Sequence, residues 1–142
     1  MALYDLILSS HPYLSEFDYD HYPENFAAFS AQAEPLLAAA SGDRAETEAA
    51  ALLDALARRY EALPRRERKN VCYQDRQILA LFLTPAALSI GEPAADFART
   101  LHRLWTARFP REPYELGEYE KILRGFDATL LGIPLRKSKK RR

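Results

Sequence analysis

Residues 43–63 read DRAETEAAALLDALARRYEAL, and this stretch decides the class of fold. Its apolar side chains recur every three or four positions and form one stripe along a helix: Ala45, Ala49, Leu52, Leu53, Leu56, Tyr60 and Leu63. Charged side chains occupy the opposite face, so the apolar stripe needs a neighbouring apolar surface to cover it. The stretch therefore predicts a long amphipathic helix in a domain built from several helices.

The same periodicity recurs on both sides of this stretch. It predicts helices over about 23–40, 65–83, 85–90, 93–109 and 117–131, with a further short helix over 2–9. Thr84 before Pro85 has the sequence of an N-cap followed by a first-turn proline, which predicts a new helix at that point. The second half of the segment 65–83 is apolar on most sides, so we expect it to be the most buried helix.

Composition agrees with an all-α fold in one domain. The chain has 142 residues, which is the size of a single domain, and only five glycines. β-branched residues are scarce, which favours helix over sheet. We expect a single compact, bundle-like domain of about six helices over residues 1–135, followed by a disordered basic tail over residues 136–142.

Charge is divided unevenly along the chain. Residues 1–135 carry 14 Lys+Arg and 20 Asp+Glu, a formal charge of −6, while the last seven residues carry +6. The cations of this tail are Arg136, Lys137, Lys139, Lys140, Arg141 and Arg142. A dense basic tail attracts phosphate or an acidic surface without needing a folded site. The tail is therefore a candidate anion-binding segment.

Cysteine usage and the amino terminus indicate a cytoplasmic protein. Cys72 is the single cysteine, so one chain cannot form a disulfide or a thiolate metal cluster, which suits a reducing compartment. The amino terminus has no basic region, and Asp5 interrupts its short apolar run, so we expect no signal peptide. No apolar run approaches the ~20 residues that cross a bilayer, so we expect no membrane partner.

Asp75 lies in the middle of the apolar face of the helix predicted over 65–83. A carboxylate in that position must be paired, hydrogen-bonded or protonated. On the helix predicted over 93–109, Arg108 falls near the apolar stripe and His102 at its edge. Either residue is a candidate partner for Asp75. One interpretation is a buried structural pair, and another is an Asp75 that reaches solvent at a helix end. The third is the polar pocket of an enzyme. The two structural interpretations are favoured.

A second candidate is the cationic turn formed by Arg65, Arg66, Arg68 and Lys69. Cations at the start of a helix oppose the macrodipole, whereas the free N–H groups there bind anions. One hypothesis is a phosphate or nucleic-acid site. The favoured alternative is a solvated turn whose arginines pair with the acidic residues 1–63, which hold 11 acids and 3 bases. A DNA-recognition helix is not indicated, because the helix that follows carries core residues.

Residues 10–22 are aromatic and acidic without helical periodicity, which predicts a surface loop or short turns. The two histidines and four acids of this region could together hold a divalent metal: His11, Glu16, Asp18, Asp20, His21 and Glu24. Their spacing fits no metal-ligand motif, so we expect no metal and no cofactor. The tyrosines in this loop form a candidate protein-binding surface, with simple packing as the favoured alternative. Cys72 has arginines one turn away on either side, which would lower its pKa if exposed, whereas burial would make the thiol inert.

Motifs with assigned chemistry are missing from the sequence: there is no glycine-rich phosphate loop, no HExxH and no GxSxG. The favoured hypothesis is a non-enzymatic, cytoplasmic interaction or regulatory module of helical type. Its partner would be a protein or a second copy of the chain, bound at residues 10–22 or at the tail. The alternatives are nucleic-acid binding through the cationic turn and the tail, and an enzyme with the polar pocket around Asp75, His102 and Arg108.

Overall fold

The computed structural model describes residues 2–15 and 21–117, and in these residues the regular structure is entirely helical. Seven α-helices follow one another: α1 Leu3–Ser9, α2 Pro12–Ser15, α3 Tyr22–Ala40, α4 Ala45–Ala62, α5 Arg65–Ile78, α6 Thr84–Ile90 and α7 Ala94–Arg108. A 3-10 turn at Gly42–Arg44 precedes α4, and a π-helical segment at Leu79–Leu83 joins α5 to α6. The predicted all-α class and compact helix packing are confirmed.

Five of the six main predicted helices correspond to α3, α4, α5 with the π-helical segment, α6 and α7. The short helix predicted over 2–9 corresponds to α1. The sixth predicted helix, over 117–131, and the basic tail, over 136–142, lie outside the described residues. Within residues 10–22, which were expected to form a surface loop or short turns, α2 is a single helical turn, and α3 begins at the last residue.

The predicted N-cap at Thr84 is wrong, because the chain does not leave the helical conformation there. Leu83, directly before it, has φ −69° and ψ −47°. The helical path is therefore continuous from Arg65 to Ile90, and Pro85 lies inside it rather than at a fresh start. Its ring nitrogen has no hydrogen to donate to the preceding turn, so a carbonyl oxygen of the π-helical segment needs a donor from elsewhere.

Tyr22, at the start of α3, supplies a donor at this place. Its hydroxyl donates a hydrogen bond to the carbonyl oxygen of Leu81, four residues before Pro85. The Tyr22 side chain is fully buried, and its ring lies 5.3 Å from the ring of Phe82. A hydroxyl group 59 residues away in sequence thus supplies a hydrogen bond to a carbonyl group in the turn that Pro85 interrupts.

The core is centred on the π-helical segment, where all five residues are buried. The ring of Phe82 contacts the rings of Tyr13, Tyr22 and Phe29 at centroid distances of 5.3–5.5 Å. This burial agrees with the prediction that the second half of the segment 65–83 is the most buried part. Around it, α7 packs on α4 and α6, and α3 packs on the π-helical segment and α6.

After α7 the chain turns back and is held against two helices. The indole Nε1 of Trp105 donates a hydrogen bond to the carbonyl oxygen of Glu112 at 2.6 Å. Arg76 of α5 donates to the carbonyl oxygen of Pro113 at 2.7 Å, and Tyr114 is buried. These contacts bring Glu112 next to the exposed face of α5.

Glycine is required at the two places where the backbone enters the left-handed region. Gly42 has φ +77° at the 3-10 turn, and Gly91 has φ +94° directly after α6. A side chain at either position would be strained by the backbone conformation. Over residues 2–15 and 21–117, no helix combines the length and the apolar character that crossing a membrane requires.

Candidate functional site

Asp75 is fully buried, and its carboxylate joins α5 to α4 and to His11 in the turn between α1 and α2. Oδ1 accepts a hydrogen bond from Nε2 of His11 at 2.6 Å, directly after α1. Oδ2 accepts hydrogen bonds from Nη1 of Arg59 at 2.8 Å and from the hydroxyl of Tyr60 at 2.5 Å, both in α4. We call these four residues the Asp75 cluster.

The Asp75 cluster satisfies both carboxylate oxygens with donors from its own chain. Because a carboxylate offers only acceptors, the Nε2 atom of His11 must carry the proton in this contact. The side chains of His11 and Arg59 are 19% and 21% exposed, so the cluster reaches the surface only through them. A buried charge with three donors is the arrangement of a structural ion pair.

The partners predicted for Asp75 lie elsewhere. The guanidinium of Arg108 donates to Oδ1 of Asp54 at 2.5 Å, and both side chains are exposed. His102 contacts the carbonyl oxygen of Tyr114 through Nε2 at 2.7 Å. The structure therefore does not bring Asp75, His102 and Arg108 into one pocket, because the last turn of α7 faces α4 at Asp54 rather than α5.

Cys72 lies one turn before Asp75 and is buried. Burial, with the Glu112 carboxylate as the next cause, raises the pKa of its thiol to about 12. Burial and the Asp75 carboxylate likewise raise the pKa of Tyr60 far above its ordinary value. Both groups therefore stay protonated near neutral pH. This is the inert thiol expected for a buried cysteine rather than a nucleophile.

The cationic turn of the sequence becomes an exposed corner between α4 and α5. Residues 64–70 are all exposed. We call its four cations the basic corner: Arg65, Arg66, Arg68 and Lys69. Arg68 has a structural role, because its guanidinium donates to the carbonyl oxygens of Leu63 and Glu61 at the end of α4.

The other three cations of the basic corner, Arg65, Arg66 and Lys69, make no ion pair with a carboxylate in the described part of the chain. The acids of the amino-terminal half were expected to neutralise them. Instead, those acids pair with arginines elsewhere: Glu48 with Arg44, Glu46 with Arg103, and Asp54 with Arg108. The basic corner thus keeps its positive charge on the surface.

Tyr73 continues this surface along α5. Arg66, Lys69, Asn70 and Tyr73 are spaced by three, four and seven residues and share one face of the helix. Tyr73 is 45% exposed, and the guanidinium carbon of Arg76 lies 4.7 Å from its ring centroid. An open cleft of about 380 Å³ is lined by Arg66, Lys69, Asn70, Tyr73 and Glu112.

Two further clefts have apolar linings. One, of about 340 Å³, lies between α1, α3 and α4 and includes Tyr4, Leu36 and Leu52. The other, of about 300 Å³, lies between α4 and α7 and includes Leu53 and Leu104. Over the described ranges, no group of three or more His, Cys, Asp or Glu side chains is arranged to hold a metal ion.

The aromatic segment 10–22 contributes mainly to packing in its described part. His11 belongs to the Asp75 cluster, the ring of Tyr13 stacks on Phe82 at 5.5 Å, and Tyr22 is buried. Residues 16–20 lie outside the described residues, as do the six cations of the tail. The described tyrosines of this segment therefore do not form the exposed surface that a protein partner would need.

Comparison of the chain with protein-family models, with curated proteins and with solved structures finds no match.

Sequence reasoning identified Asp75 and the basic corner but missed four residues. His11 is 64 residues from Asp75, and no local pattern links the two positions. Arg59 and Tyr60 adjoin one another at the end of the predicted helix 43–63, so their position near the next helix could have been noticed. Tyr73 could also have been identified from the sequence, because it is an aromatic residue on the polar face of its helix, one turn after Lys69.

Proposed function

We propose that this protein is a non-enzymatic binding module that takes a polyanionic ligand at the basic corner. The observation that supports the proposal is the exposure of Arg65, Arg66 and Lys69 side by side without carboxylate partners in the described residues. Cations in the first turn of a helix oppose its dipole, by about 0.3–1 kcal/mol each. A bound anion would offset both this unfavourable interaction with the dipole and the repulsion of the neighbouring cations for one another.

The Asp75 cluster supports a non-enzymatic role. Both oxygens of Asp75 already accept hydrogen bonds from the same chain, and the side chain is fully buried, so the carboxylate is not exposed to a ligand. The Cys72 thiol is buried and protonated, which suits a structural residue in a reducing compartment such as the cytoplasm. The tail cations Arg136–Arg142 would add charge to the same polyanion.

The test is fluorescence anisotropy with labelled inorganic polyphosphate over a series of salt concentrations. A variant with Arg66→Gln and Lys69→Gln is compared with one carrying Arg99→Gln and Arg103→Gln, which removes the same charge from α7. We expect the corner variant to bind at least about tenfold more weakly at low salt and to show a shallower salt dependence, because each lost phosphate contact lowers the slope. The α7 variant should bind within about twofold of the unaltered chain.

A third variant, ending at Leu135, separates the tail from the corner. Binding that survives this truncation assigns the main site to the basic corner. Equal losses in the corner and α7 variants would contradict the proposal, because net charge alone would then explain binding. No binding of polyphosphate by the full chain at low salt would also contradict it. Preference for an acidic peptide over polyphosphate would instead assign the corner to a protein partner.

A further inference from the structure

We infer that the polyanion bound at the basic corner is a single-stranded nucleic acid, one base of which stacks on Tyr73; this inference rests on the function proposed above. Polyphosphate or an acidic peptide needs cations alone. The face of α5 offers more than cations, because an exposed ring lies one turn beyond Lys69 and two turns beyond Arg66. Aromatic rings interleaved with cations are typical of surfaces that bind single strands.

The exposure of Tyr73 is unusual in this molecule. Only Tyr73 and Ile90 are large hydrophobic residues with exposed side chains in the described part, at 45% and 40%. The other aromatic residues of the described helices pack in or against the core, where Phe82 alone contacts three rings. A single exposed ring is common on protein surfaces, but this one shares a helix face with Arg66 and Lys69, so a ligand held by these cations can also reach it.

The ring of Tyr73 is also held in place by Arg76, one turn further along α5. Arg76 lies against it at 4.7 Å, and the same guanidinium donates to the carbonyl oxygen of Pro113 at 2.7 Å. The Nε of Arg76 is 3.7 Å from a carboxylate oxygen of Glu112. This ion pair helps to hold the guanidinium that contacts the ring of Tyr73. A ring that is already positioned gives up less conformational entropy when a base stacks on it.

The residues that line the cleft beside this ring suit the phosphate and the base of a nucleotide. Its volume, about 380 Å³, is within the range of small-ligand sites, about 300–1,000 Å³. Arg66 and Lys69 line it and suit a phosphate, whereas the Asn70 amide both donates and accepts hydrogen bonds and suits a base edge. Glu112 adds an acceptor for a base amino group, and its pairing with Arg76 reduces its repulsion of phosphate.

A single strand fits this surface better than a duplex. Stacking on Tyr73 needs a base whose face is free, and the bases of a duplex already stack on each other. The rest of α5 is unsuited to a groove, because Cys72, Asp75 and Ile78 are buried in the core. The exposed positions of α5 are residues 65–70 and Tyr73, so a ligand meets mainly its first two turns and this ring.

The test compares a labelled single-stranded oligonucleotide with an abasic strand of the same length. Two variants of the full chain, Tyr73→Ala and Tyr73→Phe, are measured against Ile90→Ala, which removes the other exposed large side chain. We expect the unaltered chain to prefer the oligonucleotide, and Tyr73→Ala to weaken that binding by about tenfold (about 1.4 kcal/mol). Tyr73→Phe should keep the affinity because it keeps the ring, and Ile90→Ala should have no effect.

The abasic strand separates this inference from the proposed function. Tyr73→Ala should bind it as tightly as the unaltered chain does, whereas the Arg66→Gln and Lys69→Gln variant should lose affinity for both strands. Equal affinity of the unaltered chain for the two strands would overturn the stacking inference and leave the polyanion site standing. Binding of neither strand, and none of polyphosphate, would overturn both. A duplex bound more tightly than the single strand would overturn the inference alone.

Discussion

At the scale of the residue, Asp75 is the buried carboxylate that links α5 to α4 and to His11. Its two oxygens accept hydrogen bonds from Arg59 and Tyr60 of α4 and from His11. Removing Asp75 leaves three donors without their acceptor, which costs more than replacing the whole group by apolar side chains would.

We therefore expect Asp75→Ala to lower the free energy of unfolding by about 3–5 kcal/mol. Asp75→Asn should cost less, because the amide keeps the volume and one acceptor. The measurement is urea denaturation followed by circular dichroism. Asp54→Ala is the matched control, since Asp54 forms an exposed pair with Arg108, and its effect should be much smaller. Equal effects of the two alanine variants would show that Asp75 is not an organising residue.

Cys72 gives a second prediction at this scale, which concerns reactivity. Its pKa is raised from 9.0 to about 12, mainly by burial. The native thiol should therefore resist iodoacetamide at pH 8 and react only when the chain is unfolded in urea, because the thiolate is the nucleophile. Mass spectrometry of the labelled protein measures this difference. Rapid labelling without urea would contradict the burial of this side chain.

The raised pKa of Cys72 also determines how the stability of the fold changes at high pH. The native state keeps the thiol proton more tightly than the unfolded chain does, so the unfolded chain loses its proton first as pH rises. Stability from this group is complete below about pH 9 and falls as pH rises towards about 12. A Cys72→Ala variant should lose less stability than the unaltered chain over that window, as measured by urea midpoints at several pH values.

At the scale of the element, the helical path from Arg65 to Ile90 is the decisive feature. It passes from α-helix to π-helix and back without leaving the helical conformation. Pro85 leaves a carbonyl group without its usual donor, and Tyr22 of α3 donates to the carbonyl of Leu81. The junction is thus stable only while α3 packs against it.

Tyr22→Phe tests this dependence. The ring stays in the core, but the carbonyl of Leu81 loses a buried donor, so we expect a loss of about 1–3 kcal/mol of stability. Tyr4→Phe serves as the control, because Tyr4 is only half-buried on α1. Thermal and urea unfolding of both variants measure the effect. A loss no greater than that of the control would show that the hydroxyl is not needed at the junction.

At the scale of the whole molecule, α7 and the returning chain close the core. Trp105 is the single tryptophan of the chain, is fully buried and is bonded to the carbonyl of Glu112. It also lies 4.6 Å from the ring of Phe109 and 6.0 Å from that of Tyr114. One fluorophore therefore reports both the packing of α7 and the attachment of the segment after it.

We expect Trp105 fluorescence and helical circular dichroism to change together in urea, with one midpoint, because a single core joins all the described helices. The emission maximum should move to longer wavelength as the indole enters water. A fluorescence midpoint well below that of the dichroism would show that the segment after α7 detaches first. The cleft beside Tyr73 would then open before the domain unfolds.

Local patterning was sufficient for five of the six main predicted helices and for the burial of Asp75, because an apolar stripe with a period near 3.6 is a property of neighbouring residues. It failed at Thr84, where an N-cap pattern lies inside a helix that packing against α3 keeps continuous. It also placed the basic corner correctly on the surface, since runs of Arg and Lys are stable only in water.

Tertiary structure decided everything that depends on residues far apart in sequence. The partners of Asp75 come from α4 and from a histidine 64 residues away, and α7 turns Arg108 towards Asp54 instead. Glu112 and Arg76 meet beside Tyr73 only because the chain turns back after α7, and the ring remains 45% exposed there. Helix periodicity records which face is apolar, but not which neighbour that face will meet, and the neighbour determines the chemistry.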